Sequence, residues 1–435
     1  MEKGKIGFST ATSLVIANMI GTGVFTSLGF QVLDIKSGFA ILFLWFIGGI
    51  ISLCGALVYG EIGSAFPRSG GEYNYLSQLY HPVAGFLSGW VSATVGFAAP
   101  VALAAMALGK YSAKVFPDIN PTLLAISVVA VLTLIHSVNL KLGSAFQRLF
   151  TYAKVIVIAL FLLAGAFYIP EHDMSFMPGT ASIKEIFSAP FAVCLIYVSY
   201  AYSGWNAASY IAGELDNPQR TLPRSLFIGT FVVMIIYVLL NFIFLYSVPI
   251  NELGGVLEVG YLSANKIFGF RIGNFMGLVI SFLLVSSISA MIMAGPRIIN
   301  AMGEDMHMLR FFAKKNKNNI PYVAIVVQSL ITLLLILTSK FESVLTFVGF
   351  ILNLFTFFTV FGIFIIRKNK LGMEGKYKTW GYPFTPIIFL TLNAWMLFFV
   401  MKNNTAESLI GFLLLAIGFL IYYVGKKYET GKSVE

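Results

Sequence analysis

Twelve apolar segments, each long enough to cross a lipid bilayer, run almost end to end through this 435-residue chain. A membrane-spanning helix needs about 20 mainly apolar residues, because the hydrocarbon core is about 30 Å thick and each helical residue adds about 1.5 Å. Backbone polar groups in lipid must satisfy one another, so the sequence predicts an all-α integral membrane protein. We number the predicted spans 1 to 12 and place them at residues 7–31, 38–60, 83–109, 121–139, 149–169, 186–213, 225–249, 272–296, 320–339, 343–366, 382–401 and 407–425.

The composition argues against an enzyme. Charged residues make up only 11% of the chain, whereas soluble domains carry about 25%. No segment between spans is long enough for a soluble domain, and we find neither a cluster of metal-ligating residues nor a nucleophile–base pair. We therefore expect no catalysis, no metal and no cofactor. Cys54 and Cys194 both lie within predicted spans, which indicates packing residues rather than a disulfide.

The distribution of positive charge predicts the topology. A net charge of +10 would suggest nucleic acid as the partner of a soluble protein. Here most of the 29 lysines and arginines fall in loops on one side, with clusters at residues 310–317 and 367–378. The positive-inside rule then places both termini in the cytoplasm of a multi-pass cell-membrane protein. The charged loops are expected to contact anionic lipid and not nucleic acid.

Two spans contain sequence that holds a helix poorly. Residues 21–23 (GTG) interrupt span 1, and residues 203–206 (SGWN) interrupt span 6. Loosened backbone persists at membrane depth only where protein or a water-filled cavity covers it, so both breaks indicate a binding site. Breaks five spans apart predict a 5+5 inverted repeat. We place the first repeat at residues 1–170, the second at 185–368, and two extra C-terminal helices within 380–435.

Polar side chains inside other spans are candidates for coupling and conformational change. Lys154 in span 5 is costly in lipid and is a functional candidate by default, although a lysine near a helix end can also snorkel to the interface. Tyr237 in span 7 needs a partner for its hydroxyl. Ser286 and Ser289 belong to a hydroxyl cluster in span 8, although helix packing would also explain Tyr237 and the serines.

The loop after span 2 carries Arg68 and Glu72 within a turn-rich sequence. These two charges could clamp the ends of neighbouring helices. The alternative is that they are ordinary solvated loop charges. The sequence leaves both interpretations open.

Four motifs, taken together and in order, resemble the amino acid–polyamine–organocation superfamily over nearly the whole chain. They are residues 21–25 (GTGVF), 150–154 (FTYAK), 200–206 (YAYSGWN) and 217–223 (NPQRTLP). The best match is the L-type amino acid transporter branch, and among its bacterial members the chain is most similar to alanine–serine–cysteine exchangers. The resemblance implies 12 transmembrane helices, a 5+5 inverted repeat and unwound helices 1 and 6.

The resemblance also implies that an amino acid binds at the two breaks. Backbone N–H groups at a helix N-terminus suit its carboxylate, and carbonyls that end the preceding half-helix suit its ammonium. The predicted substrate-binding residues are Met19, Ile20, Gly21, Thr22, Gly23, Val24, Tyr200, Ser203, Gly204 and Asn206. Tyr202 and Trp205 are candidate gate residues over the site, with membrane packing as the alternative for each.

Lys154 resembles the lysine that replaces a sodium ion between spans 1, 5 and 8 in sodium-independent members of the family. It would tie span 5 to the break in span 1. No acidic residue lies in the middle of spans 3, 6, 8 or 10, which favours small neutral substrates. Animal members bind a heavy subunit through a cysteine between spans 3 and 4. Residues 110–120 contain no cysteine, so we expect no disulfide-linked partner, and a monomer or homodimer.

These features predict a sodium-independent exchanger of small neutral L-amino acids (Ala, Ser, Cys), acting by alternating access in a bacterial plasma membrane. A proton- or sodium-coupled amino acid symporter of the same fold is the alternative. A non-transporting receptor or channel is a second alternative. A channel would be expected to show a continuous polar lining or charged rings, and the sequence shows neither.

Overall fold

The computed structural model of the protein describes residues 6–138, 141–170, 172–318, 320–372 and 377–432. The predictions that fall on residues 1–5, 139–140, 171, 319, 373–376 and 433–435 lie outside the described residues. The α-helices are Phe8–Met19, Gly23–Thr26, Leu28–Asp34, Gly38–Ala65, Glu72–Leu79, Pro82–Val91, Ala98–Val115, Pro121–Val138, Lys141–Ala166, Thr180–Ile186, Ala189–Tyr202, Pro218–Ser247, Ile250–Leu253, Val259–Asp305, Tyr322–Thr338, Phe341–Asn369, Phe384–Asn403 and Thr405–Lys432. In this part of the chain, β pairing is confined to one isolated bridge between Ile6 and Leu215.

The helices confirm an all-α membrane protein. Within the described ranges, nine helices are long and apolar enough to cross a membrane. A helix pair bent by 66°, Thr180–Ile186 with Ala189–Glu214, coincides with span 6 and makes a tenth crossing if the pair is one span. The shorter apolar helices Tyr152–Ala166 and Tyr322–Thr338 correspond to spans 5 and 9. The architecture is therefore consistent with the twelve predicted spans.

The packing follows the order expected of two repeats. The most extensive helix contacts join span 2 to span 7 and span 3 to span 8, and span 4 also packs on span 9. Each of these pairs is five spans apart. Spans 1, 2, 6 and 7 pack together as one group, and spans 3, 4, 8 and 9 as another. This pairing supports the 5+5 arrangement, while the residue boundaries of the repeats stay a prediction.

Several helices extend beyond the apolar segments. The span 5 helix begins at Lys141 rather than at residue 149, and the span 8 helix runs over Val259–Asp305 with a kink at Gly269, where φ is +77°. Span 3 is divided by a π-helical turn at Ser92–Gly96. Hydropathy detects only the part of a helix that lies in lipid, so polar extensions into loops are missed.

An ion pair joins span 2 to span 10 at the face of the membrane where span 1 begins, which we call the N-terminal face. Arg367 places its Nε 2.7 Å from Oε1 of Glu61, and its Nη2 donates to Oε2 at 2.8 Å. The Thr379 N–H also donates to Oε2, at 2.6 Å. Glu61 is only 2% exposed, so a buried charge depends on these partners.

Candidate substrate site

Span 1 is broken where the sequence predicted. Its first half ends with Ile20 in a non-helical conformation (φ −73°, ψ 88°), and helix resumes at Gly23. Among the backbone hydrogen bonds of the described residues, the N–H groups of Thr22, Gly23 and Val24 have no acceptor. Unpaired N–H groups at the start of a helix carry a partial positive charge, so this break can bind an anion.

Span 6 is broken at the corresponding position. Its first half ends at Tyr202, Ser203 is extended (φ −53°, ψ 145°) and Gly204 has a φ of +98°. The chain then continues as a 3₁₀-helix over Ala207–Glu214. A positive φ is accessible to Gly and strained for most other residues, so Gly204 permits this turn.

The two breaks cross each other in a reciprocal way. A Cβ on Gly23 would lie 2.5 Å from Cα of Ala201, so the second half of span 1 touches the first half of span 6. A Cβ on Gly204 would lie 2.9 Å from the carbonyl of Asn18, so the span 6 break touches the first half of span 1. Glycine at both positions allows the backbones to approach closely at one point.

Tyr237 links the two breaks from span 7. Its hydroxyl donates to the carbonyl of Met19 and lies 3.2 Å from that of Ala201. These carbonyls belong to the last turns of the first halves of spans 1 and 6. The side chain is fully buried, which gives Tyr237 the hydrogen-bond partner its burial requires.

Lys154 lies between spans 1, 5 and 8. Its Nζ donates to the Ile20 carbonyl at 3.3 Å and to the Ser287 hydroxyl at 2.7 Å, and the residue is 5% exposed. The snorkelling alternative is wrong, because the ammonium points into the protein.

The span 8 serines separate into different environments. Ser287 contacts Lys154, whereas Ser289 lies 2.8 Å from Nε2 of His136 in span 4. Ser286 is also buried. From the sequence, we select Ser286 and Ser289 for a coupling role from a hydroxyl cluster that also contains Ser281 and Ser287, because a run of serines does not reveal which face of the helix meets span 5.

The two predicted gate aromatics differ in their packing. Tyr202 is fully buried and donates to the carbonyl of Trp45 at 3.0 Å, between spans 2 and 7. Trp205 packs its ring against Tyr59, with centroids 4.7 Å apart, and fills the space beside Gly55. The contacts of Tyr202 are those of helix packing. A gate role for either residue stays a prediction.

The remaining predicted residues surround the crossing. Tyr200 is buried and its phenol interacts with the Thr22 side chain. Ser203 and Gly21 are partly exposed beside the breaks. Asn206 is buried and turns toward the N-terminal face, where its Nδ2 donates to Glu72 at 2.9 Å. The structure therefore places Asn206 in a hydrogen bond with a loop residue.

Glu72 is a buried carboxylate that the sequence left undecided between a clamp and a solvated charge. It is 4% exposed and begins the short helix Glu72–Leu79 between spans 2 and 3. Burial raises the pKa of its carboxyl, and hydrogen bonds from Tyr59, Asn206 and Tyr210 oppose that rise. Glu72 clamps neighbouring helices, whereas Arg68 is exposed.

Both cysteines are free and buried. The described residues contain no group of three or more His, Cys, Asp or Glu side chains able to hold a metal ion.

Several known proteins are similar to this chain in sequence. The amino acid permease family model matches residues 6–422. The serine/threonine exchanger SteT of Bacillus subtilis is 29% identical over 98% of both chains. The mouse large neutral amino acids transporter small subunit 2 is 27% identical over 98% of this chain and 82% of its own length, and the mouse b(0,+)-type amino acid transporter 1 is 24% identical over 98% and 89%. With the family model covering almost the whole chain and the broken spans crossing as described, the chain belongs to the amino acid permease family.

Proposed function

We propose that this protein is a sodium-independent exchanger of small neutral L-amino acids that works by alternating access. The observation that carries the proposal is the placement of Lys154, whose ammonium binds spans 1 and 8 from span 5. A fixed positive charge at this position does what a bound sodium ion would do between the same spans. The similarity to SteT, a serine/threonine exchanger, supports this proposal.

The crossing of the breaks suits a zwitterion. The free N–H groups of Thr22, Gly23 and Val24 bind the substrate carboxylate. The ammonium is bound by carbonyls near the ends of the first half-spans, with Met19 and Ile20 in span 1 as the predicted acceptors. Each carbonyl has two lone pairs, so the bonds from Tyr237 and Lys154 leave acceptor capacity.

The charge of the proposed substrate follows from the residues around the site. The middles of spans 3, 6, 8 and 10 carry no Asp or Glu, so a cationic side chain would be buried without a countercharge. Small neutral side chains carry no such cost. Alanine, serine and cysteine are therefore the proposed substrates.

The topology, the membrane location and the subunit composition of the transporter are inferred from its sequence. The positive-inside rule supports both termini in the cytoplasm of a plasma membrane. The absence of cysteine from residues 110–120 supports a protein that works without a disulfide-linked heavy subunit. Its oligomeric state is proposed to be a monomer or homodimer.

Uptake into proteoliposomes tests the proposal. We expect labelled alanine to enter vesicles preloaded with serine, without sodium or a pH gradient, and not to enter empty vesicles. Equal uptake into both that requires an imposed proton or sodium gradient would indicate an ion-coupled symporter instead. Failure to transport any small neutral amino acid would overturn the substrate assignment.

A further inference from the structure

The carboxylate of Glu72 joins span 2, span 6 and the loop helix Glu72–Leu79 at the N-terminal face. Its Oε1 accepts from the Tyr59 hydroxyl of span 2 at 2.7 Å and from Nδ2 of Asn206 at 2.9 Å. Its Oε2 lies 3.4 Å from the Tyr210 hydroxyl. We call these four residues the Glu72 cluster. Both oxygens are thus occupied by donors from helices that neighbour the loop.

The cluster holds span 6 immediately after its break. Asn206 lies two residues after Gly204, and Tyr210 lies in the 3₁₀-helix that follows. The loop approaches closely here, because a Cβ on Gly71 would lie 2.8 Å from the Tyr210 ring. The position of the second half of span 6 is therefore tied to the start of the loop helix.

The next residue of the loop helix contacts the other group of spans. The Tyr73 hydroxyl donates to Oδ2 of Asp305, at the end of the span 8 helix, at 2.7 Å. Two consecutive residues therefore connect span 6 to span 8. Alternating access moves one such group of spans against the other, so contacts between the groups must change during transport.

Glu72 has no cationic partner among the salt bridges of the described residues. Its burial depends on the three polar donors, since an unpaired buried carboxylate is costly. Moving the second half of span 6 away would remove two of the donors, and water would have to replace them. The cluster thus favours the arrangement in which span 6, span 2 and the loop helix stay together.

We infer that Glu72 is a positioning residue that holds the N-terminal face of the transport pathway closed by fixing the start of the second half of span 6. This inference rests on the proposed function, because it assigns a step of the transport cycle to Glu72. Glu72 acts through Asn206 and does not itself contact the substrate.

Cysteine accessibility tests the inference without requiring transport. Ser203→Cys places a nearly isosteric, partly exposed thiol in the span 6 break. Native Cys54 and Cys194 are buried and provide the background measurement. The reporter is reacted with an impermeant maleimide in membrane vesicles that expose either the N-terminal face or the opposite one.

We expect Glu72→Gln to raise the rate of maleimide labelling from the N-terminal face about tenfold, which corresponds to about 1.4 kcal/mol. The labelling rate from the opposite face should stay unchanged or fall. Tyr59→Phe removes one donor with little change in shape, and should act in the same direction with a smaller effect. Glu252→Gln is the matched control, because Glu252 is an exposed carboxylate paired with Lys266, and its rate should not change.

Kinetics give a second readout that simple loss of structure would not move. A larger population open to the N-terminal face lowers the substrate KM on that face and raises it on the other. Unchanged labelling in both Glu72→Gln and Tyr59→Phe, or an equal rise from both faces, would overturn the inference. If the unmodified protein exchanges no amino acid, the proposed function fails, while the labelling still decides the role of Glu72.

Discussion

Replacing Lys154 with methionine removes the donor that joins spans 1, 5 and 8 while keeping a long, apolar side chain. The Ile20 carbonyl and the Ser287 hydroxyl, bonded at 3.3 and 2.7 Å, would lose a charged donor. A buried group left without its partner costs about 1–3 kcal/mol. The variant no longer has to bury an ammonium, and this gain offsets part of that cost. Because two groups lose their partner, we expect a net loss of about 1.4–2.7 kcal/mol after this offset, which is about a 10- to 100-fold slower exchange.

The assay is the initial rate of labelled serine exchange in proteoliposomes, normalised to folded protein by size-exclusion chromatography. Lys266→Met is the matched control, because Lys266 is 36% exposed and forms a surface pair with Glu252 at 3.2 Å. Such pairs contribute less than about 1 kcal/mol, so its rate should stay close to that of the unmodified protein. Unchanged Vmax and KM in Lys154→Met would refute the coupling role of Lys154.

Three further substitutions test other parts of the structure. In Gly204→Ala, an alanine has to adopt a φ of +98°. The resulting strain of about 1–3 kcal/mol should lower the thermal midpoint of unfolding. A midpoint equal to that of the unmodified protein would contradict the crossing of the breaks. Tyr237→Phe should slow exchange about 5- to 30-fold, which corresponds to a loss of about 1–2 kcal/mol of transition-state stabilisation. The thermal midpoint of unfolding should change little. Normal exchange rates would argue against the bridging role of Tyr237. Arg367→Met leaves the buried Glu61 carboxylate without its cation and should destabilise the protein by about 3–5 kcal/mol in denaturant titrations, whereas full stability would show that the pair contributes nothing.

Much of the membrane architecture could be predicted from local sequence. Apolar length identifies a span without any tertiary information, because the bilayer itself sets the requirement. The breaks at Gly21–Gly23 and at Gly204 were predictable because glycine weakens a helix wherever it lies. Lys154 was identifiable as important because an ammonium inside a span is costly in any fold.

The identity of contacting partners depended on helix rotation and depth. Ser287 rather than Ser286 or Ser289 meets Lys154, and no local pattern distinguishes these serines. The direction of the Lys154 ammonium, toward spans 1 and 8 and not toward the membrane interface, also depended on that packing.

The sequence by itself determined that this chain crosses a membrane many times and breaks two of its helices, since both properties come from individual residues in contact with lipid or with their own backbone. Only the tertiary structure decided that the breaks cross at Gly23 and Gly204, that Tyr202 is enclosed by helices, and that Glu72 is a buried clamp. Those outcomes depend on groups far apart in the chain: Glu72 and Asn206 are 134 residues apart. Side chains so distant meet only when whole helices pack, and that packing is not written in any one stretch of sequence.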